Sequence, residues 1–500
     1  MPPLNIPFPL STSPGASNHE NNGRLINCYA EPLGKTVGSS KGEKTPLVVW
    51  RKSPGMTLFF EPAPDHPTPN TGFRGGLLVG ATLYTAWSGK AATFNSAGIE
   101  TQLTGPLPGT EKVFWARNNK FPSPDVVCVV PSAGAFLVTS STVASYPDGD
   151  VESPNSVGFL DGYFIFTYGN GKMIASALNT PDPPNSINPA DYTTEQSKPG
   201  GLTRGVPFNG QYFVWGPNHG AVYNNTAQPV GFPFTRSYVI QRGLLGRYAV
   251  AGHEDKFAAA LIWVADDSSV VRHNGTPNPT KISPPDLDRL IEDVADVNTL
   301  EASVYISQGH PKWVLSCADW TWEFDIGSEK WNERASYLIP RWRGILGIPA
   351  FGKWITGDLK TNSRLLFVDD DAFWEHDEHL IMQLESGPVT KFPNYTKVPR
   401  ADFNFTTGVG RATGPVPHGT WPTVGISYSN DGGITWGREI LRRLGRQAEA
   451  EQIVVLRTGQ TMGTGRRWRL VVSGPVYVSL IGATQNTTLE NVYVRTPAGA

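Results

Sequence analysis

From about residue 45 the chain repeats one pattern of apolar and polar positions: an apolar strand, a polar or glycine turn, and a second strand rich in aromatics. The instances are GGLLVGATLYTAW (75–87), PDVVCVVPSAGAFLV (124–138), VGFLDGYFIFTYGNGKMIAS (157–176) and GVPFNGQYFVWGPNHGAVYN (205–224). They continue with KFAAALIWVADDSSVVRHNG (256–275), ASVYISQGHPKWVLSCADWTWEFD (302–325) and FGKWITGDLKTNSRLLFVDDDAFWE (351–375). A recurrence roughly every 40 to 50 residues is the period of β-propeller blades. The pattern predicts an all-β fold, with a propeller of six or seven blades over residues 45–380, six being the expectation.

The turns inside the phrases carry hairpin chemistry. Asp161-Gly162, Gly169-Asn170-Gly171, Asn209-Gly210 and Asn274-Gly275 supply the positive φ that tight turns demand. Alternation with period two, as in YFIFTYG and WVLSCADW, excludes helix across most of the chain. One exception is PPDLDRLIEDVADVNTL (284–300), where proline and acidic residues precede an apolar spacing, so a short helix is expected.

Two segments break the pattern. Residues 176–201, rich in Pro, Asn and Asp, read as an exposed loop inserted in the propeller, and residues 381–422 read as a linker. Residues 423–500 then alternate as a small C-terminal β-sandwich or barrel, while residues 1–44 form an extended N-terminal segment.

Composition narrows the function classes. The 500 residues carry a formal charge of −2, which argues against a dedicated duplex-binding or membrane-surface protein. With 53 Gly, 43 Pro and only 17% charged residues, the composition suits many short strands joined by turns. Cys28, Cys128 and Cys317 are odd in number and lack C-x-x-C spacing, which speaks against a disulfide framework or a thiolate zinc site. The first residues lack the charged and apolar regions of a signal peptide, and no stretch approaches the roughly 18 apolar residues of a spanning helix. A soluble protein made in a reducing cytoplasm, without cofactor or metal, is expected.

SNDGGITW (429–436) fits the Asp-box pattern of sialidases through Ser429, Asp431, Gly433, Thr435 and Trp436. Its Asp bonds turn backbone, its glycines reach left-handed dihedrals, and its Trp covers the strand beneath, which are structural tasks. The motif occurs here once, outside the blade phrases, and LIPRWRG (338–344) does not reproduce the Arg-Ile-Pro segment that opens sialidase propellers. No phosphate-binding loop, H-E-x-x-H helix or G-x-S-x-G elbow is present. A non-enzyme is expected. The alternative is a carbohydrate-binding or sialidase-like glycan-active propeller, with Trp215, Trp263 and Trp322 as stacking platforms.

DDDAFWEHDEH (369–379) gathers carboxylates and two histidines, and an acidic rim for a docking partner is preferred over a metal site. Arg438, Arg442, Arg443, Arg446, Arg466, Arg467 and Arg469 make the C-terminal region locally basic. Read as outward-facing strand residues, they favour a protein interface over DNA. The interface candidates are Arg442, Arg443, Arg446, Asp369, Asp370 and Asp371.

The chain resembles the tail-nozzle, or packaged-DNA stabilisation, proteins of short-tailed phages of the Salmonella-infecting type. The likeness runs through RLINCYAEPLGKTVGSSKGEKTPLVVWRKSPGMTLF (24–59), GFPFTRSYVIQRGLLGRYAV (231–250) and VVRHNGTPNPTKISPPDLDRLI (270–291). It closes with SYSNDGGITWGREILRRLGRQ (427–447) and RRWRLVVSGPVYVSLIGA (466–483). The resemblance implies a structural virion protein of the tail, synthesised in the bacterial host cytoplasm and assembled as a homo-hexamer around the DNA exit channel. Its implied partners are the head-to-tail adaptor, the tail needle or plug, a tail fibre or tailspike, and double-stranded DNA in transit. It carries no catalytic residues to transfer.

Overall fold

A computed structural model describes residues 3–33, 47–62, 72–180, 186–228, 230–257, 260–361, 364–392, 394–413 and 417–490. The chain forms two compact units, one of residues 57–319 with 343–368, the other of residues 1–56, 320–342 and 369–500.

The first unit is a β-propeller. Five antiparallel sheets of four consecutive strands follow in chain order, beginning at Phe73–Val79, Phe114–Arg117, Ser156–Leu160, Arg204–Phe208 and Val250–Ala251. A hairpin of Glu301–Ser307 and His310–Ser316 makes the sixth set. Gly344–Ala350, Lys353–Asp358 and Leu365–Asp369 form a further, closing sheet, whose next strand, Gly55–Phe60, comes from much earlier in the chain. Six sets in sequence thus match the blade period, and the closing sheet is finished by a strand the period does not contain.

Alternate side chains within a blade serve two different cores. In the third blade Phe164 and Phe166 pack toward the second, while Ile165 packs with Met173 and Val214 toward the fourth. All three are fully buried, because each sheet is covered on both faces by its neighbours. Tight turns join the strands where the sequence predicts them: Asp161 and Gly162 have φ of 49° and 92°, Asn209 and Gly210 of 49° and 72°. At Gly201, with φ of 69°, an added Cβ would lie 1.8 Å from the Gly169 carbonyl oxygen, so no other residue fits this approach.

The region expected to be a helix forms one over Pro285–Glu292, with a separate 3₁₀ turn at Val297–Thr299. The expected loop at 176–201 is corrected in part. Ile187–Thr194 is the outer strand of the third blade, paired with Lys172–Ser176, while residues 181–185 lie outside the described residues. Pro189 is tolerated there because an edge strand leaves one side of its backbone unpaired.

The second unit contains two sheets around one core. One sheet includes Cys28–Pro32, Val48–Lys52, Ser479–Glu490, Tyr395–Phe405 and Ile453–Leu456. The other runs through Thr321–Asp325, Lys330–Arg334, Arg24–Ile26, Met382–Glu385, Arg467–Val472, Thr423–Ser429 and Ile440–Arg443. Trp468 from the second sheet is fully buried, meets Phe403 of the first edge to face at 5.3 Å, and donates its Nε1 to Gln485 Oε1 at 2.8 Å. The domain boundaries therefore differ from the expected ones. Residues 381–422 are not a linker, since Met382–Glu385 and Tyr395–Phe405 are paired strands of this unit. The N-terminal segment expected to be extended contributes strands to this unit, Arg24–Ile26 pairing with Met382–Glu385 and Leu4–Asn5 with Ser479–Glu490.

Candidate functional site

The Asp-box residues sit in the second unit, in the turn between Thr423–Ser429 and Ile440–Arg443. Asp431 accepts from Ser429 Oγ at 2.7 Å, Ile434 N at 3.1 Å, Thr435 N at 3.0 Å and Thr435 Oγ1 at 2.6 Å. Ser429 Oγ in turn receives Gly433 N at 2.8 Å, and Gly432 and Gly433 take φ of 80° and 99°. Burial opposes charge on Asp431 and is the largest single influence, but the hydroxyl and backbone donors together outweigh it, holding the carboxyl at about 2. Both carboxylate oxygens are thus engaged by the turn's own donors. Trp436 carries the Arg469 guanidinium over its face at 3.9 Å, and Arg469 Nε reaches Glu385 Oε1 at 2.7 Å.

The arginine set divides by depth. Arg466 and Arg467 are not outward-facing as expected but buried. Arg466 donates to the carbonyls of Thr458 and Gly459 at 3.0 and 3.3 Å beneath the rings of Tyr428 and Trp468, and burial lowers its pKa to about 10. Arg467 donates to the His19 carbonyl at 3.2 Å and also to that of Asn21, fastening the N-terminal segment. The sequence showed their charge but not their face, and stacking plus carbonyl acceptors is what makes the burial tolerable.

The interface candidates are solvent-reaching to different degrees. Arg442 donates to the carbonyls of Val454 and Leu441 at 2.8 and 2.9 Å, capping an edge strand. Arg446 pairs with Glu449 at 2.8 Å, and both Arg443 and Arg446 lie over the Trp421 ring, at 5.2 and 4.3 Å. Asp369, Asp370 and Asp371 form a turn in which Asp371 N donates to Asp369 Oδ1 at 3.1 Å; Asp371 is exposed and the other two half-buried. Farther along the acidic run, His379 stacks on Trp374 at 5.4 Å, and among the described residues no cluster is arranged to hold a metal ion.

The three tryptophans weighed as sugar platforms are buried: Trp215 and Trp263 are 0% exposed and Trp322 1%. Trp215 and Trp263 pack against each other at 5.4 Å between blade strands, Trp322 meets Trp331 at 6.2 Å in the second unit, and none offers an open face.

The propeller's innermost strands surround a cavity of about 380 Å3 that the sequence did not reveal. Lys112, Arg117, Arg204, Lys256, Glu254 and Asp255 reach its wall. These residues come from three separate stretches of the chain, 112–117, 204 and 254–256, so no single spacing signal could have grouped them.

Among curated proteins no match is found. The computationally designed Ika8 protein aligns at 10% identity and a TM-score of 0.38, over 73% of this chain and 98% of its own. PorZ, a bacterial surface component of the type-IX secretion system of Porphyromonas gingivalis, aligns at 9% identity and a TM-score of 0.36, over 62% of this chain and 37% of its own. The family described as bacteriophage P22 Gp10, β-propeller, matches residues 79–372, more than half of the sequence and most of the bladed unit, and the chain belongs to that family.

Proposed function

We propose that this protein is the nozzle of a short phage tail. The family match over residues 79–372 carries the reading: the chain is a structural component of a phage tail, located in the virion. In detail, six copies form a ring that continues the DNA exit channel. The ring docks on the head-to-tail adaptor, holds the tail plug or needle beside a tail fibre or tailspike, and helps retain packaged DNA. Synthesis takes place in the host cytoplasm before assembly.

The formal charge of −2 suits a conduit, because a wall pairing many phosphates would hold the duplex and be strongly salt-dependent.

Within such a ring the exposed Arg443, the half-buried Arg442 and Arg446, and the turn of Asp369, Asp370 and Asp371 are proposed as contacts between subunits or with the adaptor. Native mass measurement or electron microscopy of the protein with its adaptor, and of the whole particle, should give six copies around the exit channel. A persistent monomer in both settings, or turnover of a polysaccharide substrate, would refute the assignment.

A further inference from the structure

The cavity at the centre of the propeller contains a charge that the protein itself leaves without a counter-ion. The Arg204 guanidinium lies 4.6 Å above the ring of Phe114, which stacks at 5.6 Å on Tyr248, whose other neighbour is the Lys112 ammonium at 5.2 Å. Two cations therefore clamp an aromatic pair, and this fixes the plane of the guanidinium. Lys112 is neutralised by Glu301. Arg204 has no ion pair among the described residues: its Nη1 makes only long bonds to the carbonyls of Arg247 and Val250, at 3.3 and 3.4 Å, and its buried Nε has no acceptor.

The adjacent groups accentuate the imbalance. Glu254, the carboxylate whose field reaches Arg204, has one oxygen occupied by the Gly252 N–H at 2.6 Å. His253 Nδ1 stands 3.9 Å from that same oxygen and makes no hydrogen bond. Trp115 Nε1, on a strand lining the same cavity, is another buried donor without an acceptor. Burial lowers the pKa of Arg204 to about 10, the Glu254 field opposing it, so the group stays charged at neutral pH. A half-buried cation whose Nε–H has no acceptor is costly unless an anion meets it, and a cavity of this volume lies within the range of small-ligand sites, about 300–1,000 Å3.

We propose that the propeller's central cavity is a binding site for a small oxyanion, a carboxylate or phosphate group that pairs with Arg204 and takes a further bond from His253. Arg suits this role because its planar fork meets two oxygens at once. The aromatic pair beneath it holds the fork in place before the ligand arrives. This site is independent of the tail assignment and would stand if that assignment failed.

The full chain should be titrated with inorganic phosphate and, separately, with succinate, each against sodium chloride at matched ionic strength. Calorimetry and thermal unfolding provide the readouts. At least one of the two anions should bind saturably and raise Tm above the chloride control, and which one does so identifies the source chemistry. In Arg204→Met, which retains a side chain over Phe114, affinity should fall about tenfold or more. The same variant should unfold at a higher temperature than wild type in ligand-free buffer, because a half-buried unpaired charge has been removed. Phosphate relaxation in 31P NMR gives a check on wild-type protein that needs no variant. Failure of both anions to bind above the chloride control would overturn the proposal, as would undiminished binding by Arg204→Met.

Discussion

Replacing Asp431 by alanine removes the one acceptor shared by four donors: the hydroxyls of Ser429 and Thr435 and the amides of Ile434 and Thr435. Hydrogen bonds to a charged acceptor contribute about 1.5–3 kcal/mol when shielded, but this turn is open to water, which takes up each freed donor. The closest analogue is a lost helix N-cap, typically about 1 kcal/mol. We therefore expect Asp431→Ala to lower unfolding stability by about 1 kcal/mol at pH 7, read from urea midpoints and from faster hydrogen exchange at the Thr435 amide. The pH dependence follows from the folded carboxyl being held at about 2, below its ordinary 3.8. A depressed pKa means that the stabilisation is complete above pH 3.8 and is lost as pH falls through 2. The difference between wild type and Asp431→Ala should therefore shrink across that window, and Asp431→Asn, which can still accept from the two amides, should fall between them. An unchanged midpoint at pH 7, or a difference that persists at pH 2, would refute the assignment of these bonds to the carboxylate.

Lys52 is buried, with Nζ donating to the carbonyls of Gly474 and Phe373 at 2.7 and 3.3 Å. Desolvation lowers its pKa to about 7, against the field of Glu375. Between pH 7 and the unfolded value of 10.5 the unfolded chain binds the extra proton. Stability should rise with pH across that interval in wild type and lose this component in Lys52→Met, as denaturant midpoints at pH 7 and 9 would show. Arg343 meets the fully buried Asp358 through Nε–Oδ1 at 2.9 Å and Nη2–Oδ2 at 2.6 Å. Arg343→Met should cost about 3–5 kcal/mol in chemical denaturation, and adding Asp358→Leu should recover much of it, because the penalty comes from the carboxylate left behind.

How far the sequence could be read depended on whether the physical cause was local. Blades were legible because each is made from neighbouring hairpins whose Asp-Gly and Asn-Gly turns declare themselves at 161–162 and 209–210. The closing sheet was not, because Gly55–Phe60 joins a sheet whose other strands lie some three hundred residues later, and no local period records that pairing. Proline misled in two places, on the edge strand that contains Pro189 and at the bulge that contains Pro399. Pro399 lies within Tyr395–Phe405, where the register against Ser479–Glu490 slips between Lys397 and Arg400, so its missing N–H falls at a bulge. Its carbonyl still accepts from Arg457 N at 2.8 Å, so the strand continues through a residue that reads as a break. Charge is the least local property of all. Arg442 and Arg466 stand in equally basic runs, yet one caps an exposed edge and the other lies under two aromatic rings. Arg204 extends the point: TRG at 203–205 looks like an ordinary surface strand, and only closure of the propeller brings its guanidinium into a cavity with no carboxylate paired to it. The sequence therefore discloses most about the scaffold, where hydrophobic period sets the structure. It discloses least about a site assembled from single residues on several blades, where ring closure determines what meets.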